Sequence, residues 1–229
     1  MTDHSIRLVT VSTAIVLLGL TAPWAPAALA QTAGAAATAQ SSARQLLNSE
    51  RIAARFGNYG IEVLQSDSRE RVSNLYSEAR GERTCRTFAV VRYPTAIDPA
   101  LAAEHDEIVR GGSIGAVFAA HGWQVLKTNL RYFVLDAPER VASLMRVATG
   151  TKLAAHAYEL DVAKAGRTLQ YALLVEIHHP DYLKRDDLLA IYGPADATGH
   201  EAGVTELVSA ALAASSGSGG APAPAAGPP

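Results

Sequence analysis

Apolar positions recur along this chain in two rhythms, and the switches between them mark its elements. In SARQLLNSERIAARFG, Leu46, Leu47, Ile52 and Phe56 fall near one helical face, with Gly57 just past the end. Three strand-like runs follow, YGIEVLQ, RVSNLYSE and TCRTFAVVRYP, the last two joined by the hairpin loop ARGER. Asp98 and Pro99 open the helix DPALAAEHDEIVR by cap and first-turn proline, and Gly111 closes it. Ser113 caps a short helix, IGAVFAAH, that Gly122 ends. WQVLKTNLRYFVL then reads as one strand or a bent pair, and Asp136 with Glu139 frames a capping box for PERVASLMRVA. KLAAHAYELDVA and TLQYALLVEIH make a second hairpin with an Ala165–Gly166 turn. The helix DYLKRDDLLAIYG stops at Gly193–Pro194, and VTELVSAALAA is a final amphipathic stretch.

Runs of hairpins and helices, rather than strict strand–helix alternation, predict an α+β fold. The expected architecture is a mainly antiparallel sheet of about six strands with helices on one face. IAARFGNYGIEVLQS (52–66) laid over IGAVFAAHGWQVLKT (114–128) matches at six of fifteen positions. Either two helix–strand units share a pattern by chance, or the fold consists of two repeated helix-plus-three-strand halves.

The ends of the chain have a different character. LVTVSTAIVLLGLTAPW follows Arg7, is too short to span a membrane, and leads into APAALA before Gln31. Residues 1–30 therefore read as a secretory signal peptide. Residues 31–41 read as a disordered linker and 214–229 as a disordered Gly/Pro/Ala/Ser tail, leaving 42–213 as a single α+β domain. Composition refines this picture in two ways. The formal net charge of -2 offers no basic field for phosphates, which argues against nucleic acid as a partner. The single cysteine, Cys85, excludes an internal disulfide, so a packed core must carry stability; Cys85 itself reads as a buried structural thiol.

The candidate chemistry concentrates in EIHHPDYL, residues 176–183. Glu176 and His178 lie two apart on a predicted strand and share a face, while His179 points the other way. Glu176, His178, His179 and Asp181 are the candidate metal ligands, with a divalent ion such as zinc as the alternative to no cofactor. His156 on the paired strand is the natural further ligand. If both apolar faces of the hairpin meet one core, the two-residue turn sets His156 opposite Val175, away from Glu176 and His178. A helix beginning at Pro180 or Asp181 offers a purely structural account of the polar strand end.

Two further features carry weight. GGSIG at Gly111–Gly115 matches the serine-hydrolase elbow G-x-S-x-G, with Asp161 and His178 in suitable order, but a helix rather than a strand precedes it. The alternative is a tight helix–helix corner. Arg86, Phe88, Val90 and Arg92 share one predicted strand face, and the hairpin surface holding Ala172, Leu174, Glu176 and His178 is half-apolar. Arg86, Arg92, Glu176 and His178 are thus the candidate ligand-binding residues on an open sheet face. The functional expectation is an exported, soluble, non-catalytic binding or accessory protein of the bacterial cell envelope, periplasmic or secreted. Its partner would be an envelope protein, a small ligand or a second copy, without stable membrane insertion. A metal-assisted or serine hydrolase is the alternative.

Overall fold

The computed structural model describes residues 46–196 and 201–216. The expected signal peptide, the expected linker and most of the expected tail lie outside the described residues. Six strands form one antiparallel sheet: β1 (Gly60–Ser66), β2 (Glu70–Ala79), β3 (Glu82–Arg92), β4 (Gln124–Asp136), β5 (Lys152–Lys164) and β6 (Arg167–His178). Among the described residues there are six α-helices: α1 (Asn48–Phe56), α2 (Ala102–Val109), α3 (Ile114–Ala120), α4 (Glu139–Met145), α5 (Arg185–Tyr192) and α6 (Glu201–Ser216). The protein is α+β. WQVLKTNLRYFVL is one long strand, and α6 extends past the expected domain end at 213.

The strand order is β1-β2-β3-β6-β5-β4. The three strands of each half are therefore contiguous, and β3 and β6 join the halves at the centre. The two matching sequence segments form α1–β1 and α3–β4, so they end in opposite edge strands. Both hairpins turn through two residues with positive φ at each, Arg80–Gly81 and Ala165–Gly166, the geometry that matches strand twist.

Helices lie on both faces, where one covered face was expected. Adjacent residues of a strand point to opposite sides, and Val90 and Val91 enter different cores. Val72, Phe88, Val90, Ala155, Ala157, Val175 and Ile177 pack against Val141 and Met145 of α4 and Val204, Leu207 and Ala211 of α6. The other face carries Val91, Tyr158, Leu160 and Leu174 against Leu101, Ile108, Val117 and Phe118. Further along that face, Leu75, Ala89 and Ala154 meet Ile52 of α1 and Leu188 of α5. The surface around Glu176 is consequently not open. It is roofed by α1, α2, α3 and α5, and α6 covers the opposite face.

The central hairpin corrects the expected register. Next to the turn the pairs follow expectation, from Lys164↔Arg167 to Asp161↔Gln170. Then Leu160 pairs with Ala172, which leaves Tyr171 as an extra residue in β6. This bulge shifts every later pair by one, so His156 stands opposite Glu176 rather than Val175. A second bulge places Arg86 between Cys85, opposite Tyr76, and Thr87, opposite Leu75.

The GGSIG segment is the helix–helix corner. Ser113 follows α2 through Gly111 and Gly112 and stands at the N-cap position of α3, although its side chain makes no cap hydrogen bond. Gly115 lets α3 approach α1: a Cβ there would stand 2.5 Å from Leu47 Cδ2. With no strand before Ser113 and no parallel sheet beneath it, the strand–turn–helix elbow of a serine hydrolase is absent.

Candidate functional site

One row of side chains crosses the inner face of the sheet from β2 to β5: Ser73, Ala89, Glu176 and His156. Its neighbour on one side is Leu75, Thr87, His178 and Ala154; on the other side it is Arg71, Val91, Leu174 and Tyr158. The bulge at Tyr171 puts Glu176 and His178 in these rows beside His156. The resulting polar cluster lies in the centre of the domain.

Glu176 is 4 % exposed and satisfied on both oxygens. Oε2 accepts from His156 Nε2 at 2.9 Å, and Oε1 accepts from Asn48 Nδ2 at 3.2 Å. Asn48, in the first turn of α1, also donates to Thr87 Oγ1 at 3.1 Å and accepts from the Tyr182 hydroxyl. Thr87 Oγ1 in turn lies 3.1 Å from His178 Nδ1. Two ring nitrogens have no partner among the described residues: His156 Nδ1 and His178 Nε2.

The protonation states follow from burial and charge. Desolvation pushes the Glu176 carboxyl upward, but Lys127 and the two imidazoles, one of them hydrogen-bonded to it, outweigh this and hold it well below the ordinary carboxylate range. Desolvation lowers His156 despite its bond to Glu176. His178 is pushed down to about 3, first by desolvation and then by its charged surroundings. Both imidazoles are therefore neutral beside a carboxylate. An ionised carboxylate only accepts, so His156 Nε2 carries the proton and Nδ1 is a bare lone pair. Burial and the Glu176 charge raise the Tyr158 phenol far above its usual value, keeping it neutral while its oxygen accepts from Lys127 Nζ at 3.2 Å.

A pocket between the sheet, α1 and α3 opens onto Glu176, with a cavity volume of about 70 Å³. Its walls are mainly apolar, with Leu47, Ile61, Leu75, Val91, Ile114 and Leu174 among them; Arg71, Lys127, Glu176, Tyr59 and Ser113 supply polar groups. Arg71 is 1 % exposed and has a fixed orientation. Its Nε donates to Ser73 Oγ at 2.9 Å, and its Nη1 to the carbonyls of Ile108 and Gly112 at 2.8 and 2.9 Å. Nη2 makes no well-formed hydrogen bond among the described residues, with the Tyr93 hydroxyl as its polar neighbour, and the Tyr59 hydroxyl beside Ser113 makes none either. All three acceptors of Arg71 are neutral, so a buried guanidinium faces the pocket with no carboxylate at salt-bridge distance among the described residues.

The sequence-predicted residues divide between several places. Glu176 and His178 sit together in the cluster. Arg86 is held by Ser77 Oγ at 2.8 Å and stacks over Phe56, away from Phe88 and Val90. Arg92 pairs with Glu206 of α6 at 3.2 Å. The four candidate ligand-binding residues therefore do not form one surface. His179 uses both ring nitrogens structurally: Nε2 donates to the Met145 carbonyl at 3.1 Å and Nδ1 accepts from Asp181 N at 3.0 Å. The Asp181 carboxylate is exposed, 3.9 Å from His179 Nδ1. No helix begins at Pro180 or Asp181; a turn there precedes α5, which starts at Arg185. Cys85 is buried and reduced, its thiol pushed up by desolvation.

Sequence reasoning missed Arg71, Lys127, Asn48 and the place of His156. Arg71 had a signal in the strand alternation, since it shares a strand face with Ser73 and Leu75. An arginine in such a row is as readily a solvated edge residue.

No family model matches the chain, and no curated protein matches it. Among solved structures, it is similar to a GntR-family transcriptional regulator from Enterococcus faecalis, at 11% identity and TM-score 0.36, covering 56% of this chain and 93% of that one. It is also similar to the C-terminal domain of Yurk from Bacillus subtilis (15% identity, TM-score 0.32, 59% and 84% covered). A third match is a GntR-family regulator from Bacillus cereus (15% identity, TM-score 0.31, 56% and 90% covered). Against these neighbours the expected exported accessory protein of the cell envelope does not stand. The same correction applies to the signal peptide, the periplasmic or secreted location, the envelope partner and the exclusion of nucleic acid. A likeness this weak assigns no activity in their place. Among the described residues no helix is long and apolar enough to cross a membrane.

Proposed function

We propose that this domain binds a small organic acid in the pocket between α1, α3 and the sheet. The observation that supports this reading is Arg71, a buried guanidinium with one nitrogen lacking a well-formed hydrogen bond and no carboxylate at salt-bridge distance among the described residues. Leaving such a cation unpaired in an apolar wall is costly, and a ligand carboxylate relieves the cost with charge-assisted hydrogen bonds. Glu176 stands two strands away on the same face, a lateral separation of about 10 Å from two strand spacings. It is acceptor-only, so it favours a donor on the ligand's far end. The ligand class is therefore a compact acid with an apolar ring or branched body and a hydroxyl or amino group opposite the carboxylate.

Titration calorimetry with aromatic and branched aliphatic carboxylates, each with and without a hydroxyl, tests this. The acids should bind, the hydroxy acids more tightly, and the matching primary amides should not. Arg71→Gln should weaken binding roughly 10- to 100-fold, corresponding to loss of a hydrogen bond between charged groups worth about 1.5–3 kcal/mol. An acid that binds Arg71→Gln as tightly as the wild type, or a wild-type domain that binds none of the acids, would overturn the reading.

A further inference from the structure

We propose that His156, Glu176 and His178 form a binding site for one divalent transition-metal ion, with zinc the ion that suits the donor set. Each residue offers a ligand atom, and these atoms all lie within 4.8 Å of one another. Two ligands bound at about 2.1 Å in tetrahedral geometry stand roughly 3.4 Å apart, so closure onto an ion needs side-chain torsions, with His156 ligating through its bare Nδ1 or passing its Nε2 proton to Nδ1. Two neutral imidazoles and one carboxylate are a donor set that borderline-soft ions take from proteins, leaving a position for an exogenous ligand.

The second observation is the pair of orphaned nitrogens. A fully buried polar atom without a partner is uncommon, and here two occur in rings whose centroids are 5.2 Å apart. His156 Nδ1 lacks a donor to accept from. His178 Nε2 is unpartnered whichever way the Thr87 hydroxyl turns. An ion ligated by His178 Nε2 removes that orphan and leaves Nδ1 bonded to Thr87, the outer-shell contact that fixes a metal-bound imidazole. The Asn48 contact with Glu176 Oε1 orients the carboxylate in the same way.

The burial of the cluster suits tight retention, since all three side chains are almost wholly enclosed. The two nearby cations are anchored by neutral groups: Lys127 Nζ donates to Tyr158, and Arg51 Nη1 donates to the Tyr192 hydroxyl at 2.5 Å. His179 and Asp181 are not part of the site, because both nitrogens of His179 are committed to backbone groups. The site shares Glu176 with the acid pocket but does not involve Arg71, so either can fail without the other.

The experiment uses the full chain, stripped with EDTA, dialysed and titrated with Co²⁺ or Zn²⁺. The expected result is one equivalent of bound metal, ligand-field bands for cobalt, and an unfolding midpoint raised by several degrees. His178→Gln and His156→Gln should each remove all three, while His121→Gln, which alters contacts of an exposed ring to Glu104 and Glu107 outside the cluster, should leave them unchanged. Should the buried variants not fold, imidazole ¹⁵N spectra of the wild type decide the matter: Zn²⁺ should move the His156 and His178 resonances and leave His105 in place. A folded wild-type chain that retains no metal would overturn the assignment, as would binding that survives His178→Gln and disappears in His121→Gln.

Discussion

Acidification from pH 7.5 to pH 5 should lower the stability of this domain by on the order of 2 kcal/mol through His178 alone. In the folded state His178 is pushed down to about 3, whereas an imidazole in the unfolded chain titrates near 6.5. Between those values the unfolded chain binds the extra proton, so stability rises with pH. The contribution is fully present above about 6.5 and is lost progressively as pH falls toward about 3. His156 is shifted in the same direction and adds to the loss. Glu176, also depressed, extends it below the ordinary carboxylate range. For a domain with a total stability of roughly 5–15 kcal/mol, this is a large fraction. Urea unfolding midpoints at pH 7.5, 6 and 5 measure it. A midpoint that does not move would mean that the imidazoles gain protons as readily folded as unfolded, which contradicts their burial.

Glu176→Leu should destabilise the domain by about 3 kcal/mol, the lower end of what breaking a buried charged pair costs. The substitution removes the acceptor for both His156 Nε2 and Asn48 Nδ2, and the negative charge facing Lys127. Leucine fills most of the volume, so the loss is electrostatic and not a cavity effect. Lys127 is only half-buried and keeps its bond to the Tyr158 hydroxyl, which holds the value near the lower end. Glu176→Gln provides the comparison: it retains an acceptor for Asn48 and should cost less. Guanidinium unfolding of the three proteins at pH 7.5 checks the order, wild type above Glu176→Gln above Glu176→Leu. Equal stability of wild type and Glu176→Leu would show that the network contributes specificity rather than stability.

Both effects arise at one crossing point, where β5 and β6 bring His156 and Glu176 face to face and α1 lowers Asn48 onto them. The same carboxylate lines the acid pocket. A ligand donor reaching Glu176 therefore couples to the imidazoles, and the acid pocket and metal site can be separated by Arg71→Gln and His178→Gln.

Much of the architecture was legible in the chain. All six strands were marked by their apolar runs, and Gly57, Gly111, Gly122 and Gly193 end helices or turns where expected, because these signals are local: backbone preference, capping and periodicity act within a few residues. The antiparallel α+β class followed from the hairpins and their two-residue turns. Glu176 and His178 were placed on one strand face by the pleat alone. What the sequence could not determine was which strand atoms meet across the sheet. The alternation argument assumed one buried face, but helices cover both, so apolar residues on either side of β5 and β6 suit two registers equally. The bulge at Tyr171 then chose the register that moves His156 from Val175 to Glu176, and it carries no local signature, since Tyr171 packs its ring against Phe118 and Tyr93. The alternation put Arg71 on a strand face with Ser73 and Leu75 but left its burial unread for the same reason: its partners are the carbonyls of Ile108 and Gly112, far along the chain, and only packing α2 and α3 on the sheet brings them there. The sequence by itself determined the elements and their order; the tertiary structure decided which polar groups lost water, because burial and contact across strands depend on residues distant in the chain.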